Sequence, residues 1–166
     1  MTTALVSPLH VRTAGSTAGS TVLRVQRSTA ADWAGALQHQ ALGGLGYGLP
    51  GDGQALGGLP VPVLGGRPCV DAWLGHADGT AADVQSGRQG AVHWRHDGHW
   101  LHGVLDMPEA DANLAEAAEQ AYRDIFATLQ ATGFGHLLRL WNYLPRINAQ
   151  TGGLERYRQF NVGRQQ

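Results

Sequence analysis

The chain has 166 residues, enough for one compact domain with its own core. Hydrophobic residues make up 43%, too many for a disordered chain, and a formal net charge of −1 leaves no basic excess for nucleic acid or an anionic membrane surface. All twelve basic residues are arginine, so no lysine is present for Schiff-base chemistry or for a phosphate-binding P-loop.

Residues 1–20 are small and polar, with a loose TAGST–AGST echo from Thr13 to Thr21, and read as a mobile or edge segment. The first eleven residues lack a basic stretch followed by an apolar one, so no secretory signal is expected. No apolar run approaches the ~18 residues that a membrane-spanning helix needs. Alternation over Val22 to Gln26 predicts a strand, and Ser28-Thr29 can cap a helix over Ala30 to Gln40. Gly43 to Gly66 is rich in glycine and proline and predicts loop or short strands broken by turns. Within it, Gly46-Tyr47-Gly48-Leu49-Pro50-Gly51 fits G-x-G-x-x-G. A dinucleotide site needs a strand before that motif and a helix after it, and neither is visible.

Cys69 to Leu74 reads as a strand. Cys69 is the only cysteine, which excludes an intrachain disulfide. Its apolar neighbours favour a small buried hydrophobe over a nucleophile, and a lone thiol fits a reducing cytoplasm. Ala91 to Leu105 predicts a hairpin turning at Asp97-Gly98. In that register His96 faces His99, and His93 faces His102. The first pair shares a face with Trp94 and Leu101, the second with Arg95 and Trp100. Two imidazoles per face, with no cysteine beside them, do not make a tetrahedral metal site, so structural or surface histidines are expected. Pro108 to Thr132 predicts a long helix. Acidic residues crowd its start, and Leu114, Ala118, Ala121, Ile125 and Leu129 form its apolar stripe, widened by Tyr122 and Phe126. Gly133 suits the residue just past its end, and His136 to Leu144 predicts a further strand ended by Pro145. Strands, hairpin, long helix and strand together predict an α+β fold, with helices on one face of a small mixed sheet.

The densest chemistry lies at the end. Residues 139–164 hold five arginines, three asparagines and two tyrosines. Arginine presents a planar fork matched to a carboxylate, and tyrosine and asparagine add neutral hydrogen-bonding groups. A small anionic ligand is one partner for such a set; a solvated, arginine-rich turn and helix start is the other reading.

The string Trp141-Asn142-Tyr143-Leu144-Pro145-Arg146-Ile147-Asn148, followed by Gly153-Leu154-Glu155-Arg156-Tyr157-Arg158-Gln159-Phe160-Asn161-Val162-Gly163-Arg164, resembles the signature of the chorismatases. This family includes 3-hydroxybenzoate synthases and related chorismate hydrolases. The resemblance is dense over residues 139–164, thinner over the hairpin and helix, and carries no motif before about residue 90. It implies a RidA-like or chorismate-mutase-like α+β unit acting on chorismate, releasing pyruvate and a hydroxybenzoate or dihydroxycyclohexadiene carboxylate without metal or organic cofactor. It also implies that the family's substrate-binding tyrosine and arginine, seven residues apart, correspond to Tyr157 and Arg164. Arg158, Arg146 and Asn161 are further candidates. The family's catalytic glutamate lies in a second half, beyond the motif. The glutamates here, at 109, 116, 119 and 155, do not match it. Residues 1–166 are therefore expected to be a single N-terminal domain that partners its own C-terminal domain, with no catalytic acid of its own. A non-catalytic RidA-like binding or oligomerisation module is the alternative, and an apolar surface that the second domain would cover points to self-association as a homo-oligomer when that domain is absent.

Overall fold

The computed structural model describes residues 4–6, 9–12, 23–37, 40–75, 84–108 and 114–166. The larger sheet contains β1 (Ala4–Val6), β2 (Leu9–Arg12), β7 (Gln85–Gln89), β8 (Val92–His96), β9 (Trp100–Pro108) and β10 (His136–Leu140). Its order is β10-β2-β9-β8-β7, and β1 also pairs with β9. All of its pairings are antiparallel. Leu9–Arg12 is thus built into the sheet rather than left at an edge, because β2 lies between β9 and β10, whereas Ala4–Val6 pairs with β9 alone. Four residues carry too little alternation to announce a strand whose partner lies about ninety positions away. The Thr13–Thr21 echo falls outside the described residues.

A four-stranded sheet has the order β3-β6-β4-β5, from β3 (Arg24–Thr29), β6 (Cys69–Leu74), β4 (Gly43–Tyr47) and β5 (Leu56–Leu59). β6 has the predicted bounds, and Cys69 is half-buried. The glycine-rich stretch does form short strands. β4 supplies a strand for the G-x-G-x-x-G match, but the chain then bridges Leu49 to Leu59 and continues into β5, with no helix following. Thr29 caps the next helix as expected, its hydroxyl accepting from the Asp32 amide in a capping box. That helix, α1 (Ala30–Asp32), is much shorter than predicted. It passes into a wide π-type turn over Trp33–Leu37, where Gly35 takes non-helical angles of φ −81° and ψ −120°.

The long helix, α2 (Leu114–Thr132), covers one face of the larger sheet. Ala118, Ala121 and Ile125 pack with Val92, Leu101, Leu105, Phe134 and Phe160. Burying Ile125 alone contributes roughly 2 kcal/mol. Phe126 lies outside the stripe, 56% exposed, and the stripe's inner edge is taken by Thr128, whose hydroxyl donates to the Asp124 carbonyl. Pro108 ends β9 rather than opening α2, and the expected acidic start at 109–113 falls outside the described residues. On the opposite face, Val104 meets Leu45 and Trp73 of the smaller sheet. β10 stops at Leu140 instead of reaching Leu144, and the chain turns at 145–148 into β11 (Gln150–Thr151), β12 (Leu154–Glu155) and α3 (Arg156–Gly163). Among the described residues, no helix is long and apolar enough to cross a membrane.

The β8–β9 hairpin differs from its predicted register. His96 pairs with Leu101, Arg95 with His102 and His93 with Val104, so the turn centres on Gly98-His99. Gly98 has φ 86° and His99 is not in the positive-φ region, the pattern of a type II′ turn. The Asp97 carboxylate accepts from the amides of His99 and Trp100, which draws Asp97 out of the turn's centre. Partners move by two positions, so every side chain keeps its predicted face. The facing histidine pairs nevertheless dissolve. His102 is 2% exposed and stacks on Trp73 at 5.1 Å, a core position. His96 lies between Trp94 and Phe134, 5.4 and 5.1 Å away, and its Nδ1 accepts the Gly98 amide at 3.2 Å. Among the described residues, no three histidine, cysteine or acidic side chains gather as a metal site would need.

His96 gives the hairpin a pH dependence. Burial holds its pKa below the ordinary 6.5, against a smaller opposing pull from Asp97. Below pH 6.5 the unfolded chain therefore takes up a proton that the folded chain resists, and stability falls as the pH drops. Thermal melts across that range should show wild type losing ground to His96→Phe as pH falls. A difference between the two that stays constant with pH would refute this origin.

Candidate functional site

The stretch from Arg139 to Arg164 wraps over α2 and the junction of the two sheets. The Arg139 guanidinium lies over the Trp141 ring at 5.2 Å, and Trp141 in turn packs on Trp73 of β6 at 5.7 Å. Asn142 donates to the Tyr122 hydroxyl on α2 at 3.3 Å. Tyr143 hydrogen-bonds Tyr47 of β4, whose phenol is pushed up in pKa first by burial and then by that bond. The turn that follows is closed by the Ala149 amide donating to the Arg146 carbonyl. Arg146 takes φ 46°, the only positive φ of a non-glycine residue among those described. The amides of Arg156 and Tyr157 donate to the carbonyls of Ala149 and Ile147, so the turn is bonded directly to the first residues of α3.

Helix α3 then sorts its side chains by phase. At 100° per residue, Arg156, Phe160 and Gly163 face inward, and all three are buried. Arg156 is 5% exposed, and its Nε donates to the Pro145 carbonyl at 3.2 Å. Gln159 donates to the carbonyls of Thr151 and Leu154, and Phe160 sits 6.2 Å from Tyr122. Gly163 lies so close to α2 that a Cβ there would collide with the Ala115 carbonyl oxygen.

Of the residues expected to bind substrate, Tyr157 begins a different stripe. Tyr157, Asn161 and Arg164 fall at i, i+4 and i+7, within about 60° of one another around the axis. Tyr157 and Arg164 are about 10 Å apart along it. Tyr157 is 50% exposed and Arg164 is exposed at the helix C-cap, where a cation is favoured by the helix dipole. Among the described residues, no hydrogen bond or ion pair engages either side chain. Arg158 points about 100° away from Tyr157 and sits 3.9 Å from Glu155. Arg146 is exposed at the turn. The phase of α3 thus brings Tyr157, Asn161 and Arg164 together, and leaves Arg158 and Arg146 outside the group. Arg156 was missed as a structural residue. Only its position one turn before Phe160 could have marked it as inward.

The described glutamates stand elsewhere. Glu116 is exposed on α2, Glu119 is hydrogen-bonded to Arg123, and Glu155 precedes α3 on the side of Arg158. Glu109 is outside the described residues. A cleft of about 530 Å³ lies at the other end of the larger sheet, on β7 and β8, and none of the stripe residues lines it.

Comparison with known proteins places this architecture. The family model described as Chorismatase FkbO/Hyg5-like, N-terminal, matches residues 73–166, more than half of the chain. A chorismatase of Streptomyces rapamycinicus is 38% identical over 96 residues, which is 57% of this chain and 27% of that protein. A chorismatase of Streptomyces hygroscopicus is 36% identical over 84 residues, 50% of this chain and 24% of the other. A 3-hydroxybenzoate synthase of the same species is 28% identical over 99 residues, 59% and 27% of the two chains. The crystal structure of a chorismatase shares the fold, with a TM-score of 0.73 and 24% identity, over 90% of this chain and 45% of that one. The matched stretches therefore span only about a quarter of the curated relatives. The chain belongs to the chorismatase family, and the part of the family that it matches is the FkbO/Hyg5-like N-terminal region.

Proposed function

We propose that residues 1–166 form the N-terminal domain of an enzyme that cleaves chorismate to pyruvate and a hydroxybenzoate or dihydroxycyclohexadiene carboxylate. In this reading the domain supplies part of the substrate site, through Arg164 as a carboxylate fork and Tyr157 as a hydrogen-bonding group. One observation carries it. Of the motif's other polar side chains, Asn142, Arg156 and Gln159 hold the turn and α3 in place, whereas Tyr157 and Arg164 share one exposed stripe with no partner among the described residues. A RidA-like classification and a reducing cytoplasmic setting are consistent with the α+β layering and the single thiol.

The chemistry asks for a proton donor. Protonating the terminal methylene carbon of the enolpyruvyl ether forms a C–H bond and an oxocarbenium ion. Water adds to the ether-bearing carbon of that ion and gives up a proton, and the resulting hemiketal collapses to pyruvate and the ring hydroxyl. A carboxyl group with a raised pKa suits the first step. No described glutamate stands on the stripe, so we place the acid outside this chain, on the C-terminal domain of the family. The isolated chain should then release no pyruvate from chorismate at enzymic rates in a coupled lactate dehydrogenase assay. Pyruvate appearing at such rates would show that the acid lies within residues 1–166.

A further inference from the structure

The cleft on β7 and β8 has a chemistry that the chorismate reading does not use. Its floor is the face of the sheet opposite α2. There Ser86 pairs with Arg95 and Arg88 pairs with His93, which brings two guanidiniums, an imidazole and a hydroxyl onto neighbouring positions. The loop before β5 forms the other wall, with Asp52 and Gln54. Asp52 is the only acidic side chain in the lining among the described residues, and it is largely committed to its own loop. Its Oδ1 accepts from the amides of Gln54, Ala55 and Leu56, each at 2.8 Å. Arg88 is steadied through Nε, which donates to the Gly90 carbonyl at 2.8 Å, so its terminal nitrogens remain for another acceptor. Arg95 is half-buried in the same lining, and a guanidinium with five N–H donors can engage an anion beside the contacts it already makes.

We propose that this cleft binds a small oxyanion, a carboxylate or phosphate group, held by Arg88 and Arg95 with His93, Ser86 and Gln54 as neutral hydrogen-bonding groups. Guanidinium forks match both oxyanions, and a volume of about 530 Å³ admits a compact organic acid or phosphate ester. The site is independent of the α3 stripe and stands whether or not that stripe binds chorismate.

The test titrates inorganic phosphate and, separately, succinate into the full chain, following amide shifts by NMR. Millimolar or tighter binding of either, with shifts on β7 and β8, is expected. The tighter of the two identifies the oxyanion. Arg88→Gln and Arg95→Gln should each weaken it about tenfold. Asp52→Asn keeps an Oδ1 acceptor for the three amides while removing the negative charge of Asp52, and should tighten it several-fold. Because Asp52→Asn strengthens binding, its result does not depend on either arginine variant folding. No shift with either anion at tens of millimolar, or an affinity that ignores Asp52→Asn, would overturn the proposal.

Discussion

Gly163→Val is expected to loosen α3 from α2 and destabilise the protein by about 3 kcal/mol, the upper range for forcing a side chain into a closed contact. For a chain of this size that corresponds to a loss of roughly 6 to 12 °C in Tm. The cause is geometric. A Cβ at Gly163 would meet the Ala115 carbonyl oxygen and, at 2.9 Å, the Ala118 Cβ. The first is backbone inside a nineteen-residue helix, and the second is fully buried in the core. Neither can swing aside as a flexible side chain would. The glycine is therefore required by close approach, and because it stands one residue before Arg164, the contact that seats α3 also fixes the position of the stripe. Gly135→Ala is the matched control, since nothing lies within 4 Å of a Cβ there. Thermal or denaturant unfolding should show the large loss in the first variant and almost none in the second. Equal losses would mean that the α2–α3 contact is not close-packed.

Arg164→Ala should lower the affinity of the domain for chorismate about tenfold, the usual loss when one charge-assisted contact is removed from a partly open site. Affinity in the isolated domain should be weak from the start. Half a pocket leaves its polar groups in water while still bearing the cost of ordering the ligand. One neighbouring arginine supplies the control. Arg158→Ala removes the same charge from the same helix but from a different side, beside Glu155, and should leave affinity unchanged. Arg156 is not a usable control, because its buried guanidinium supports the Pro145 turn and its loss would disturb the stripe indirectly.

The three arginines also show how far a sequence can be read. Arg156, Arg158 and Arg164 are chemically identical, and their different fates depend on the phase of α3 and on what packs beneath it. The family resemblance singled out Tyr157 and Arg164. The helix adds Asn161 between them and removes Arg158 from their company. Elements whose signals are local were legible. Cys69–Leu74 combines branched and aromatic residues between Pro68 and Gly75, and it is a strand over those residues. The inner stripe of α2 was legible for the same reason, apart from Phe126. Elements decided by distant partners were not. β2 earns its place through β9 and β10, and α1 ends early because Gly35 leaves helical angles. At the hairpin, Asp97-Gly98 carried a strong turn signal. The Asp97 carboxylate instead binds two amides ahead of it and shifts the turn by one residue. The β7–β8 cleft escaped notice because Asp52 and Arg95 are forty-three positions apart, and only the fold brings them to one opening.

An NMR titration of the isolated chain with chorismate, following the amides of α3 and the Arg164 side-chain Nε, bears most directly on whether this helix face contacts the substrate. A guanidinium and a phenol two helical turns apart should respond together, at millimolar ligand, and that response should disappear in Arg164→Ala while Arg158→Ala keeps it. Perturbations confined to other parts of the molecule, or the same response in the Arg164→Ala protein, would contradict the account.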